Sequence, residues 1–177
     1  MGILLWVYCV LMLSSSPQMP LHTESLSVLQ TFVIGPPQQK ASWAFAPTIR
    51  VCEDSTVTSS RISQAMRYWE NTGYKFDGFY MDSLSSCMNP RYGEIVITLP
   101  ESGFADTHMG STRIYTHIHT GDIVKAKIQI LPKYARKDRV LEHELGHALG
   151  WSHYPQKFHM MHPTWKFGGY DRSGLRK

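Results

Sequence analysis

The chain has 177 residues, of which 42% are apolar and 18% charged, and its 18 Lys and Arg against 14 Asp and Glu leave a net charge of +4. That length allows one ordinary domain, and the apolar share suffices for a core and excludes a disordered chain. The basic residues are scattered, so a nucleic-acid partner would rest on charge alone and is not expected, and the absence of internal repeats sets aside solenoids and coiled coils.

Ile3 to Leu13 form an apolar run that leads into Ser14, Ser15 and Ser16. The run is too short to cross a bilayer, which needs roughly 20 residues, so residues 1–16 read as a secretory signal peptide. The protein is then secreted, or periplasmic in a diderm bacterium, with no stable membrane insertion. An uncleaved anchor or a buried N-terminal strand are the alternatives, because no Lys or Arg precedes the run. Cleavage would remove Cys9 and leave Cys52 and Cys87, an even pair that forms a disulfide in an oxidising compartment. Such a bridge closes a loop of about 35 residues and contributes on the order of 3–4 kcal/mol. Two free thiols are the alternative in a reducing compartment.

Residues 17–47 are rich in Pro, Gln and Ser and read as a tail, a short pro-segment or a linker. A domain is expected over 48–177. It starts with a strand at Thr48 to Cys52, where β-branched residues cluster. Ser59 or Ser60 then caps a helix to about Asn71, with Ile62, Ala65, Met66 and Trp69 on one face. Glu94 to Leu99 reads as a buried strand. Thr112 to His119 is expected as a strand, turned at Thr120-Gly121-Asp122 into a partner from Ile123 to Leu131. A last helix runs from Ala135 or Asp138 to Leu149, with Leu141, Leu145 and Ala148 or Leu149 on its apolar stripe. This order implies an α/β or α+β class with a mixed sheet.

The last helix carries the sequence HELGHALGWSH, His143 to His153. His143 and His147 stand four apart and project from one side of a helix, so their ring nitrogens can converge on one ion. His153 cannot join them on a continuous helix, because ten further residues would carry it about 15 Å along the axis. Gly150 supplies a break at which a left-handed conformation turns the chain back. Three histidines leave a fourth tetrahedral position open, as in catalytic zinc sites. Glu144 lies beside the first ligand, placed to act as general base toward a water without binding the metal. The eleven-residue pattern is expected by chance on the order of once in 10⁵ chains of this length.

H-E-x-x-H-x-x-G-x-x-H followed by a methionine turn resembles the metzincin metallopeptidases, and Met161-His162-Pro163 fits the M-x-P turn of the matrixins. The resemblance covers roughly residues 48–165. It implies an α+β fold with a small, twisted, mixed sheet, an active-site helix and a short C-terminal subdomain after the third ligand. It also implies one catalytic zinc on His143, His147 and His153, Glu144 as catalytic base, Met161 as an apolar floor beneath the metal, and a secreted, monomeric endopeptidase acting on proteins or peptides. Ile114, Tyr115, Thr116 and His117 would belong to an edge strand against which the substrate pairs, and Trp165 would wall the pocket for the side chain after the cut. A catalytically silent zinc-dependent peptide binder of the same fold is the alternative function.

The chain departs from the matrixin pattern in three places. Residues 17–47 hold no cysteine to cap the zinc, and Glu24 is the only carboxylate there. His108, His117 and His119, with Asp106, invite comparison with a structural zinc site, yet Tyr115 and Lys127 stand where histidines would be wanted, so neither a second zinc nor calcium is expected. Only Lys166 to Lys177 follow the turn, interrupted by Gly168-Gly169, so the C-terminal helix is expected to be missing or reduced to a turn.

Overall fold

A computed structural model describes residues 34–83, 87, 89–101 and 107–177, and among these the chain forms five strands and two helices. The expected signal, Glu24 and Asp106 lie outside the described residues. The elements run β1 (Thr48–Cys52), α1 (Ser59–Glu70), β2 (Phe79–Asp82), β3 (Glu94–Thr98), β4 (Gly110–Thr116), β5 (Ile123–Ile130) and α2 (Val140–Ala148). The sheet order is β2-β1-β3-β5-β4. All neighbours are parallel except β4, which runs antiparallel to β5 at one edge. The expected mixed sheet is therefore present. β2 was not anticipated: Phe79–Asp82 is short and its side chains are half-buried or exposed, so no alternation marks it.

Period-two alternation sorts the inner strands. Ile49 and Val51 pair in register with Ile95 and Ile97, which pair with Ala126 and Ile128. These residues form the core together with Ile62, Ala65, Met66 and Trp69 of α1 and Leu141, Leu145 and Ala148 of α2. The intervening residues belong to the other face, where Cys52, Cys87 and Val96 make a second small cluster. A Cys52–Cys87 disulfide is formed there. Arg50, fully buried on this face, pairs with Asp82 at 3.2 Å and Glu94 at 3.0 Å, and its Nη2 donates to the Asn89 carbonyl at 2.7 Å. A buried guanidinium needs such partners, since removing it from water is costly.

Two expected boundaries shift. β4 ends at Thr116, with a bulge between Tyr115 and Thr116, and the chain turns over His117 to Thr120. His117 and His119 therefore stand on a turn and not on a strand face, and Ile118 is 88% exposed. The turn closes through His117 N–H to the Asp122 carbonyl and Gly121 N–H to the His117 carbonyl, bonds that replace the expected ladder. At the other helix, α2 begins only at Val140, because Pro132–Tyr134 forms a separate 3-10 turn ahead of it. After α2 the described chain holds one 3-10 turn, Trp165–Phe167, and no further helix.

The described part of the expected tail is packed against the domain. Trp43 is buried, Gln39 bridges to Trp151, and Lys40 N–H donates to the Gly150 carbonyl at 2.9 Å. No helix among the described residues is long and apolar enough to cross a membrane.

Candidate metal centre

Helix α2 is held at both ends. Arg61 of α1 donates from both terminal nitrogens to Glu142, at 3.1 and 2.8 Å, and Trp69 Nε1–H donates to the Glu142 carbonyl at 2.8 Å. Glu142, directly before His143, is only 1% exposed, so this pair is desolvated. The far end of α2 leaves carbonyls without helical partners. Trp43 Nε1–H takes that of Ala148 at 2.9 Å and Gln39 Nε2–H that of Leu149 at 2.8 Å.

Gly150 ends the helix as its position suggests. Its φ is +95°, with Gly150 N–H bonded to the His147 carbonyl and Trp151 N–H to the Gly146 carbonyl. That is the Schellman pattern, which favours a left-handed glycine. A side chain is excluded there in any case, since a Cβ would lie 1.9 Å from the Ala41 carbonyl oxygen. The chain then returns alongside residues 38–40, with Ser152 N–H bonded to the Gln38 carbonyl at 2.9 Å, and delivers His153.

The three imidazoles meet. His147 Nε2 lies 3.1 Å from His143 Nε2 and 3.1 Å from His153 Nε2. His143 Nδ1 is 2.8 Å from the Met160 carbonyl and His147 Nδ1 is 2.7 Å from the Trp151 carbonyl. A carbonyl can only accept, so both Nδ1 atoms carry the proton and both Nε2 atoms present lone pairs. Lone pairs at that spacing repel unless a cation sits among them. Ligands about 2.0–2.1 Å from a tetrahedral ion would be about 3.3 Å apart, which this spacing approaches. Burial, and then the neighbouring His147, lowers the His143 pKa to about 3, and burial lowers that of His147 to about 4. His153 is exposed, and its pKa is also lowered, first by partial burial. The set fits a divalent ion that favours nitrogen donors, and among the described residues it is the one three-residue cluster of possible ligands.

Glu144 lies beside this cluster, 6% exposed. Thr112 Oγ1–H points to its Oε2 at 2.7 Å, with the Glu144 backbone carbonyl also 3.1 Å away. Burial raises the Glu144 pKa to about 7, against the lowering effect of the Thr112 bond. On the other side of α2, Met161 is fully buried, and a Cβ on Gly146 would lie 2.3 Å from its sulfur. Gly146 thus lets the Met161 thioether pack directly against the helix between the two histidine positions. His159, also fully buried, holds this segment: its Nδ1 accepts Met161 N–H at 3.1 Å and its Nε2–H donates to the Ser173 carbonyl at 3.1 Å.

A cleft of about 810 Å³ contains all three histidines and Glu144, within the size range of ligand clefts, about 300–1,000 Å³. Of the residues expected to contact substrate, Ile114 and Trp165 line it, whereas Tyr115, Thr116 and His117 are not among its lining residues. Besides Ile114, β4 lines it with Gly110, Ser111 and Thr112. Sequence reading missed Thr112, Arg139 and Lys40, which also line the cleft. Only the placement of β4 beside α2 brings Thr112 to Glu144, whereas the run of basic residues ahead of α2 was a visible signal for Arg139. No protein-family model matches this chain, and no curated protein matches it.

Proposed function

We propose that the protein is a secreted, zinc-dependent endopeptidase of metzincin type, with His143, His147 and His153 as ligands, Glu144 as general base and Met161 as the floor methionine. The observation that carries this reading is the convergence of three Nε2 atoms, two of them on imidazoles whose protons are held at Nδ1, beside a buried carboxylate in an open cleft. When bound, the zinc ion supplies Lewis acidity, polarising the carbonyl of the bond to be cut and lowering the pKa of an attacking water toward ~7.

The chain's own groups do the rest. Oε1 of Glu144, the oxygen that Thr112 does not engage, takes the water proton and returns it to the departing amine nitrogen. A carboxyl whose pKa lies at about 7 suits both halves of that transfer near neutral pH. The exposed edge of β4 offers backbone groups for an extended peptide to pair with, which directs the chain being cut across Glu144 and the histidines.

The test is incubation of the full chain with a diverse peptide pool, read by mass spectrometry, beside a Glu144→Gln variant and a chelated sample. Cleavage should occur in the zinc-loaded wild type alone. Equal cleavage by Glu144→Gln, or none by the zinc-loaded wild type, would overturn the reading.

A further inference from the structure

Among the described residues the cleft is lined by three cationic side chains, Lys40, Arg139 and Lys166, and by one carboxylate, that of the buried Glu144. Arg139 stands against Trp165, and Lys166 follows that residue in sequence, with its Nζ 6.0 Å from the centre of the Phe167 ring. The Arg139 guanidinium carbon lies 4.5 Å from the centre of the Trp165 ring, and Arg139 Nη1–H donates to the Trp165 carbonyl at 3.2 Å. Lys137, which does not line the cleft, also lies against this ring, its Nζ 3.8 Å from the centre. The ring itself is held by its Nε1–H, which donates to the Asp138 carbonyl at 3.0 Å.

None of these cations has an ion-pair partner among the described residues. Among the described residues the ion pairs involve Arg50, Arg61, Arg91 and Lys127, and none involves Lys40, Lys137, Arg139 or Lys166. Asp138, next in sequence to Arg139, is exposed and pairs with none of the four. A guanidinium has five N–H donors in a planar fork, and with Nη1 given to the Trp165 carbonyl the Nε and Nη2 edge of Arg139 has no protein acceptor among the described residues and can meet an incoming oxygen pair. Arg139 is also the residue immediately before α2. Its φ of +69° is unusual for a side chain of this size. No side chain caps the helix that follows, so the positive end of the helix dipole lies at the same wall.

We propose that this pocket selects substrates bearing Asp or Glu next to the bond that is cut, with the Arg139 guanidinium binding the carboxylate in bidentate fashion and Lys166 adding attraction. A planar fork matches a carboxylate and gains less from an amide of the same shape, so discrimination against Asn and Gln follows. The assignment rests on the peptidase reading above, since it specifies what that cleft takes.

The test uses two random hexapeptide pools, one containing Asp and Glu and the other with Asn and Gln in their place. Wild type loaded with zinc should cut the acidic pool with Asp or Glu at one of the two residues flanking the cut, in at least tenfold excess over the amide in the matched pool. Arg139→Gln should bring that ratio to within about threefold, and Arg139→Glu should turn the preference toward Lys and Arg. The wild-type ratio should fall as salt is raised. Cleavage without acidic enrichment, or enrichment unchanged in both folded variants, overturns the selection and leaves the peptidase reading standing. Binding of labelled pools to Glu144→Gln separates the two ideas in the other direction. If nothing is cut but the acidic pool still binds tenfold better, the peptidase reading has failed and the selection holds. Equal binding of the two pools overturns the selection whether or not turnover is seen.

Discussion

Thr112 donates its hydroxyl proton to Oε2 of Glu144 at 2.7 Å, across the gap between the edge strand and the histidine helix. A hydrogen bond to a carboxylate favours the charged form, so this contact restrains the rise in pKa that burial imposes on Glu144. Thr112→Val keeps the shape and removes the donor. The acid limb of the pH profile of kcat/KM should then move to higher pH by roughly one unit, while zinc content stays at one per chain. A profile that does not move, or moves down, would contradict the assignment of Glu144 as base.

Metal binding should stabilise the fold by mass action, by about 2.7 kcal/mol at a free concentration one hundred times the dissociation constant. His153 is exposed and outside the helix. Replacing it with Ala should therefore leave the melting temperature of the chelated protein nearly unchanged and remove most of the rise that zinc produces. Thermal unfolding with and without zinc checks this, and an undiminished rise in His153→Ala would show that the ion binds elsewhere.

For the chelated protein, pH acts through groups whose pKa values differ between the folded and unfolded chain. His143 and His147 are lowered from 6.5 to about 3 and about 4, by burial first in both cases. Between those values and 6.5 the unfolded chain binds more protons, so stability falls as pH drops through that window. Glu144, raised from 4.5 to about 7 by burial, acts in the opposite direction between those two values. Two histidines outweigh one carboxylate below pH 6.5, and the urea midpoint in chelator should be higher at pH 7 than at pH 5. The reverse order would exclude buried neutral imidazoles.

Residues 38–43 brace the C-terminal end of α2. Trp43→Phe deletes the N–H that caps the Ala148 carbonyl and should cost about 1 kcal/mol. Trp43→Ala also empties a buried site and should cost about 3–5 kcal/mol. Chemical denaturation gives both values, and an Ala variant as stable as wild type would mean that this segment is dispensable.

The Arg61–Glu142 pair is almost wholly desolvated. Removal of one partner leaves a buried charge, so Arg61→Met should destabilise by about 3–5 kcal/mol, and adding Glu142→Leu should recover much of that loss. A double-mutant cycle measures the coupling. If the double variant is as unstable as the sum of the singles, the two side chains do not act as a pair.

Local pattern made much of this protein legible. Ile62, Ala65, Met66 and Trp69 repeat with the helical period and all are buried on α1, and the buried strand read at Glu94 to Leu99 forms over Glu94–Thr98 and is buried at each of those positions. His143 and His147 share a helix side because of the helical repeat itself, and Gly150 turns left-handed after them because only glycine does so without strain. Those features depend on neighbours within a few residues, and sequence lists such neighbours in order.

Other features depend on what lies across space. Residues 34–47 have no period, yet Gln39 and Trp43 reach the end of α2 more than one hundred residues away. β4 stops at Thr116 because the His117 and Gly121 amides find turn partners, which ends an alternation that continued in the sequence to His119. The sequence alone determined three histidines and a glutamate at a spacing suited to one ion. Tertiary packing alone decided that Thr112 meets that glutamate and that Arg139 stacks on Trp165. Neither contact has a local signature, since each joins elements that only the folded sheet and helix bring together.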